Sequence, residues 1–307
     1  GGGRLWLDLA PATVKPRLNV LTVGDSITQG YYSTYGNWRI PLMKKICAAG
    51  YEAWSKGFWT IESQDITGGM SPDEWLHHAG ISAQRTIPKN GAGTLDAIEA
   101  MLDQAGDLDF VLVKLGTNDL NADGTSPEAL YPAWTNLVWK ILNHKPHAKV
   151  IAGAVVDIAN NATKDAQVQA FNALMKKAIE EDHLFPAKRV YFSDLYTPCY
   201  RYDANHNYIP GSFYDASNLH PDWPGEDKLA DAYLETIKAA IADDPTWTLN
   251  EAETNVPTTQ GAETNVPAEY RAGLTRARVL DLTANATKNL ATLGTVPYED
   301  FTGNKDP

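Results

Sequence analysis

Short, dense apolar runs in this chain alternate with longer stretches in which apolar residues recur every three or four positions. The first run begins at Leu18. It is rich in Val20, Leu21 and Val23 and stops at Gly24-Asp25-Ser26, which predicts a strand that delivers a serine to its carboxyl end. Trp38 to Ala49 then reads as an amphipathic helix closed by Gly50, and 51–62 as a second strand. Thr94 to Gln104 places Leu95, Ile98, Met101 and Leu102 on one helical face. Phe110 to Leu115 is a wholly apolar strand but for Lys114, and it runs into Gly116-Thr117-Asn118-Asp119. A helix over Pro127–Asn143, a strand over Lys149–Val156, a helix over Asp165–Asp182, a strand over Arg189–Phe192 and a last helix over Glu226–Ala242 complete the pattern. Strands separated by helices imply an α/β fold, in which right-handed crossovers build a parallel sheet with helices on both faces.

Two stretches break the alternation: Ser63 to Gly93, rich in glycine, and Thr197 to Pro224, rich in Tyr, Asn, Asp and Pro. Irregular segments of this length in a compact domain usually carry function. Near Asp244 the character of the chain changes. AETNVP occurs at Ala252–Pro257 and again at Ala262–Pro267, the mark of a polar linker, and the helix-forming stretch Tyr270–Leu293 that follows is too short for a domain of its own. The expected organisation is an N-terminal extension over 1–17, a single α/β domain over 18–244, and a linker-like repeat with a C-terminal extension over 245–307.

Charge and composition narrow the function. A net charge of -12 and a pI near 5.0 argue against a nucleic-acid partner, which requires a basic face. No apolar run approaches the roughly 20 residues that span a bilayer, so no membrane partner is expected. The opening GGGRLWLDLAPA is not a signal peptide and is consistent with a mature exported form or an excised piece. Cys47 and Cys199 could form one disulfide, but two buried small hydrophobes is the plainer expectation. His77 and His78 are adjacent and diverge on any regular element, so they make a weak metal pair. Nine Trp and fourteen Tyr suit a sugar-binding cleft and a core equally well.

The strand ends and irregular segments supply Ser26, Asn118 and His220, the parts of an acyl-transfer site. Ser26 offers a nucleophilic oxygen, and His220 can take its proton and return it to the leaving group. The Asn118 amide can donate to a developing oxyanion. Each also has a plainer reading: Gly-Asp-Ser and Thr-Asn-Asp are common helix caps, and a lone histidine is usually just packed or solvated.

In this order, GDSITQG (Gly24–Gly30), GTND (Gly116–Asp119) and LHP (Leu219–Pro221) resemble the first, third and fifth blocks of the SGNH hydrolases, also called GDSL esterases/lipases. The similarity extends over Leu18 to Ala242. It implies a three-layer α/β/α, flavodoxin-like fold with a central parallel sheet, Ser26 as nucleophile, His220 as base, and Asn118 beside the Ser26 N–H as oxyanion donors. No metal or organic cofactor is implied. Two blocks depart from the family. Ala83 stands where the second block has an oxyanion glycine; its N–H can serve only if φ is negative and the substrate leaves room for Cβ, and Gly80 is the nearby alternative. Ser217 stands where the fifth block has its aspartate. Asp215 is the expected partner of His220, with Asp222 or a backbone carbonyl as alternatives.

The stretch from Trp59 to Ile87 resembles the acetylxylan-esterase-like branch. It implies a serine esterase that removes small acyl groups, chiefly acetyl, from carbohydrate, with activity rising as His220 loses its proton. A lipase or thioesterase acting on longer acyl groups is one alternative, and a catalytically impaired carbohydrate-binding relative is the other. A polysaccharide substrate and the linker-like tail together imply a secreted or cell-surface location.

Overall fold

The chain was analysed as a computed structural model that describes residues 15–30, 37–60, 73–89, 93–158, 161–200 and 219–249, all within one unit, Lys15–Ala252. Strand β1 (Arg17–Gly24) is followed by a single helical turn, α1 (Ser26–Gln29), then α2 (Arg39–Ala48), β2 (Glu52–Lys56), β3 (Trp59–Thr60) and β4 (His77–Gly80). Helix α3 (Thr94–Ala105), β5 (Phe110–Lys114), the short α4 (Thr117–Asn121), α5 (Pro127–His144) and β6 (Lys149–Gly153) come next. Helix α6 (Ala162–Glu180), β7 (Val190–Ser193) and α7 (Trp223–Asp243) complete the order.

The strands form one sheet in the order β3-β4-β1-β5-β6-β7. Strand β1 lies inside it, with β5 on one side. Its other side is shared: β2 pairs with Arg17–Leu21, and β4 pairs with Val23 and Gly24. These pairings are parallel, whereas β3 pairs antiparallel with β4, so the sheet is mixed at that edge. The expected strand over 51–62 is thus two strands with Gly57-Phe58 between them, and its last residues lie outside the described part. Strand β4, His77–Gly80, falls inside the stretch read as irregular. At four residues it shows no periodicity in sequence, and only its pairing to β1 makes it a strand.

Period-two alternation sorts the strand residues onto two faces. Leu21 and Val23 of β1, with Val111 and Val113 of β5, join the layer of α3, α5 and α6. Leu18 and Val20, with Phe110 and Leu112, join the layer of α2 and α7. Helix α5 shows how a helix is fixed to its layer. The Ser126 hydroxyl caps its start by accepting the Ala129 N–H, Pro127 takes the first position, and Leu130, Trp134, Leu137, Val138 and Ile141 bury one stripe. Two helices begin earlier than expected, α6 at Ala162, where the Asn161 side chain caps it, and α7 at Trp223, because the first turns, Ala162-Thr163-Lys164 and Trp223-Pro224-Gly225, carry no apolar period that marks a helix in sequence. Trp38 is a core residue, 1 % exposed and stacked on Tyr233 with centroids 4.7 Å apart, so it is no platform for a sugar ring. Tyr31, Tyr32 and Tyr35, the repeat and the 270–293 stretch lie outside the described residues. Cys47 and Cys199 are both free thiols.

Candidate active site

Ser26 stands at the carboxyl end of β1, where the chain turns off the sheet. Gly24 makes this turn possible: a Cβ there would lie 2.1 Å from Thr28 Oγ1 and 2.6 Å from the Lys114 carbonyl. Asp25 caps α1, its Oδ1 accepting the Ile27 N–H at 3.0 Å. A helix of four residues cannot hold itself together, so its carbonyl end is held from outside. Asn37 Nδ2 donates to the carbonyls of Ile27 and Thr28 at 2.9 and 2.8 Å. Arg39, almost fully buried, donates through Nε to Thr28 and through a second nitrogen to Gln29. Burial pulls the Arg39 pKa down to about 9, opposed by Glu226, so the guanidinium remains charged at neutral pH. Sequence reading missed Asn37 and Arg39. They carry no motif of their own, and their nearness to the serine turn was the only signal.

His220, on the segment that enters α7, brings Nε2 to 2.9 Å from Ser26 Oγ. For the hydroxyl to donate here, the imidazole must carry its proton on Nδ1. The two residues are separated by 194 positions in the chain, and the parallel sheet brings them together. Asp215 and Ser217 lie outside the described residues. Asp222 sits at the N-cap position of α7 without capping it, and its Oδ1 is buried and unpartnered.

Asn118 lies in α4, beyond β5. The turn before it requires Gly116, whose φ is 121° and whose hypothetical Cβ would lie 3.0 Å from Val155 Cγ2. Asn118 Nδ2 donates to the Gln84 carbonyl at 2.9 Å. This bond occupies one amide hydrogen, fixes the plane of the side chain and leaves the second hydrogen to donate elsewhere.

The loop 81–89 is fastened to both turns. Ile81 N–H donates to the Gly24 carbonyl, and Ser82 N–H to Gln29 Oε1. From the other side the buried Asp119 carboxylate accepts the N–H groups of Thr86 and Ile87 at 2.9 and 3.0 Å. Burial raises the Asp119 pKa, and these two N–H bonds hold it back. Asp123 accepts from Arg85 and, at 2.7 Å, from Lys89. Arg85 first and Lys89 second pull the Asp123 pKa down to about 2.

Ala83 is exposed on this loop with φ of 60°. The negative φ set as the condition for its N–H to serve does not hold. The residue keeps the left-handed backbone that favours glycine, a conformation costing an L-residue roughly 1 kcal/mol or more. Gly80, the alternative, is committed elsewhere, because its N–H donates to His78 Nδ1 at 3.1 Å. The same bond and full burial take His78 out of consideration as half of a metal pair.

A family model described as GDSL-like Lipase/Acylhydrolase matches residues 22–228. Solved structures share the fold. A carbohydrate esterase family 3 protein from Talaromyces cellulolyticus aligns at TM-score 0.54 and 19% identity, covering 74% of this chain and 99% of that one. A family 3 carbohydrate esterase from Clostridium thermocellum aligns at 0.55 and 21%, covering 74% and 98%. Est24, a carbohydrate acetylesterase from Sinorhizobium meliloti, aligns at 0.51 and 18%, covering 72% and 99%. No sequence among the curated proteins matches the chain.

Proposed function

The chain belongs to the GDSL-like lipase/acylhydrolase family, and from that membership we propose that it is a serine esterase that removes small acyl groups, acetyl first among them, from carbohydrate. The observation that carries this reading is the 2.9 Å contact between Ser26 Oγ and His220 Nε2 at the carboxyl end of β1. Ligands of open α/β sheets bind at that end. The names of the structural neighbours, carbohydrate esterases of family 3 and a carbohydrate acetylesterase, support the substrate class.

In the proposed mechanism His220 accepts the Ser26 proton as Oγ attacks the ester carbonyl. The carbonyl oxygen becomes an oxyanion facing the Ser26 N–H and the second hydrogen of Asn118 Nδ2, the one not given to the Gln84 carbonyl. Donors fixed before the reaction need no reorganisation as charge develops, and a single such donor is worth roughly 3 to 4 kcal/mol. Collapse expels the alcohol, which takes the proton from His220 and leaves an acyl-serine. Water, giving its proton to His220, then releases the acid and restores the serine.

The test is p-nitrophenol release from acetate, butyrate and octanoate esters by the wild type and by Ser26→Ala. Acetate turnover that is greatest in the series and vanishes in the variant is the expected result, with acetylated xylan the next substrate. Equal and negligible rates for both proteins on all three esters would sink the proposal.

A further inference from the structure

The proposed mechanism leaves unused a lysine buried beside the site. Lys114 ends β5, and its side chain and that of Asp25 are each 1 % exposed. Its Nζ lies 3.4 Å from Asp25 Oδ2 and donates to Thr117 Oγ1 at 2.8 Å. The two partners belong to different halves of the site. Asp25 uses its other oxygen to cap α1, whose first residue is Ser26, and Thr117 is the first residue of α4, directly before Asn118. Gly24 and Lys114 are register partners, so the two chains leave the sheet side by side with the ammonium bonded to both.

Burying an ammonium is costly even when it is paired, and an apolar side chain of similar volume generally serves stability as well or better. The surroundings are closed to solvent: Cys199 and Tyr233, both fully buried, lie close enough to interact electrostatically with Lys114 and Asp25, respectively. Burial pulls the pKa of Lys114 down, and Asp25 opposes the shift. A lysine kept in such a place calls for a role other than filling space.

We propose that Lys114 is a positioning residue of the esterase site, a tie between the Asp25 carboxylate and the Thr117 hydroxyl that sets the separation of Ser26 from the Asn118 oxyanion donor. This rests on the esterase reading above. Misplacement of a catalytic group by about 1 Å is enough to cost on the order of 100-fold in rate.

The test compares the wild type with Lys114→Met, Thr117→Val, and Lys114→Met combined with Asp25→Asn, which keeps the cap but leaves no unpaired charge. For p-nitrophenyl acetate we expect kcat of Lys114→Met to fall roughly 10- to 100-fold with KM within about twofold, the signature of lost transition-state alignment. Thr117→Val, which keeps the ion pair and the side-chain shape, should lower kcat in the same sense at nearly unchanged Tm. A merely structural lysine would lower Tm and leave kcat of the folded variants alone, and that result overturns the proposal. Should Lys114→Met not fold, Thr117→Val and the charge-free double variant decide on the same criterion. Should the wild type prove inactive, crystal structures still decide. A Ser26–Asn118 separation that moves by more than about 0.5 Å in the variants supports the tie, and an unmoved one overturns it whatever becomes of the esterase reading.

Discussion

Replacing His78 by Asn should remove a specific part of the protein's sensitivity to mild acid. His78 is 0 % exposed in β4, and its Nδ1 accepts the Gly80 N–H, so a proton added to that nitrogen would have to break the bond. Burial first, then the Arg39 guanidinium, with a smaller push from His77, lowers its pKa from 6.5 to about 2. The unfolded chain binds the proton at its ordinary pKa and the folded chain does not. Stability linked to His78 is therefore complete well above pH 6.5 and is lost as pH falls through that value, continuing until the folded pKa is reached. Integrating one proton from about pH 7.5 to about pH 5 at 1.36 kcal/mol per pH unit gives a loss of about 2 kcal/mol. The figure is insensitive to the folded pKa so long as that lies below about 4. Asn can accept the same N–H through Oδ1 and does not titrate; its smaller volume costs stability equally at both pH values. Urea denaturation at the two pH values is the assay. With m of about 2 kcal/mol/M, the wild-type midpoint should drop by about 1 M more than that of His78→Asn. Equal drops in the two proteins would refute the reasoning, since the subtraction removes every other titrating group.

Two predictions concern the fastening of the loop that carries Ala83. Asp119→Ala deprives the buried N–H of Thr86 and the half-buried N–H of Ile87 of their acceptor; at about 1 to 3 kcal/mol for an unsatisfied buried group and less for the half-buried one, stability should fall by roughly 1.5 to 4 kcal/mol, and a change below about 1 kcal/mol in urea unfolding would contradict the geometry. The Asp123 carboxyl has a folded pKa depressed from 3.8 to about 2, so its contribution is present above 3.8 and lost as pH falls through that interval. Asp123→Asn should accordingly be less stable than the wild type near neutrality, with most of the difference gone by about pH 2, as followed by thermal unfolding; a difference independent of pH would place its origin elsewhere than in the ion pairs to Arg85 and Lys89.

Local pattern determined much of this protein. The apolar run from Leu18 and the run from Phe110 are continuous because both faces of an interior parallel strand are covered, and such runs read as strands in any context. The stripe of α5 and its Ser126-Pro127 start are equally local. Ser26, Asn118 and His220 could be singled out as candidates because each sits in a short motif beside a strand end or a helix start. Only the tertiary structure decided what depends on pairing across long separations. His77–Gly80 is a strand because β1 offers it a partner, which four residues cannot announce by themselves. The strand expected over 51–62 divides where Gly57 takes φ of 142° against the backbone of His78. The φ of Ala83 was likewise unreadable, since it is set by the bonds that fasten its loop to Gly24, Gln29 and Asp119. Asn37, Arg39 and Lys114 are ordinary polar residues in sequence. They come to lie beside the candidate site because their donors converge on carbonyls and a carboxylate that the folded sheet brings beside them, and burial makes each of those bonds obligatory.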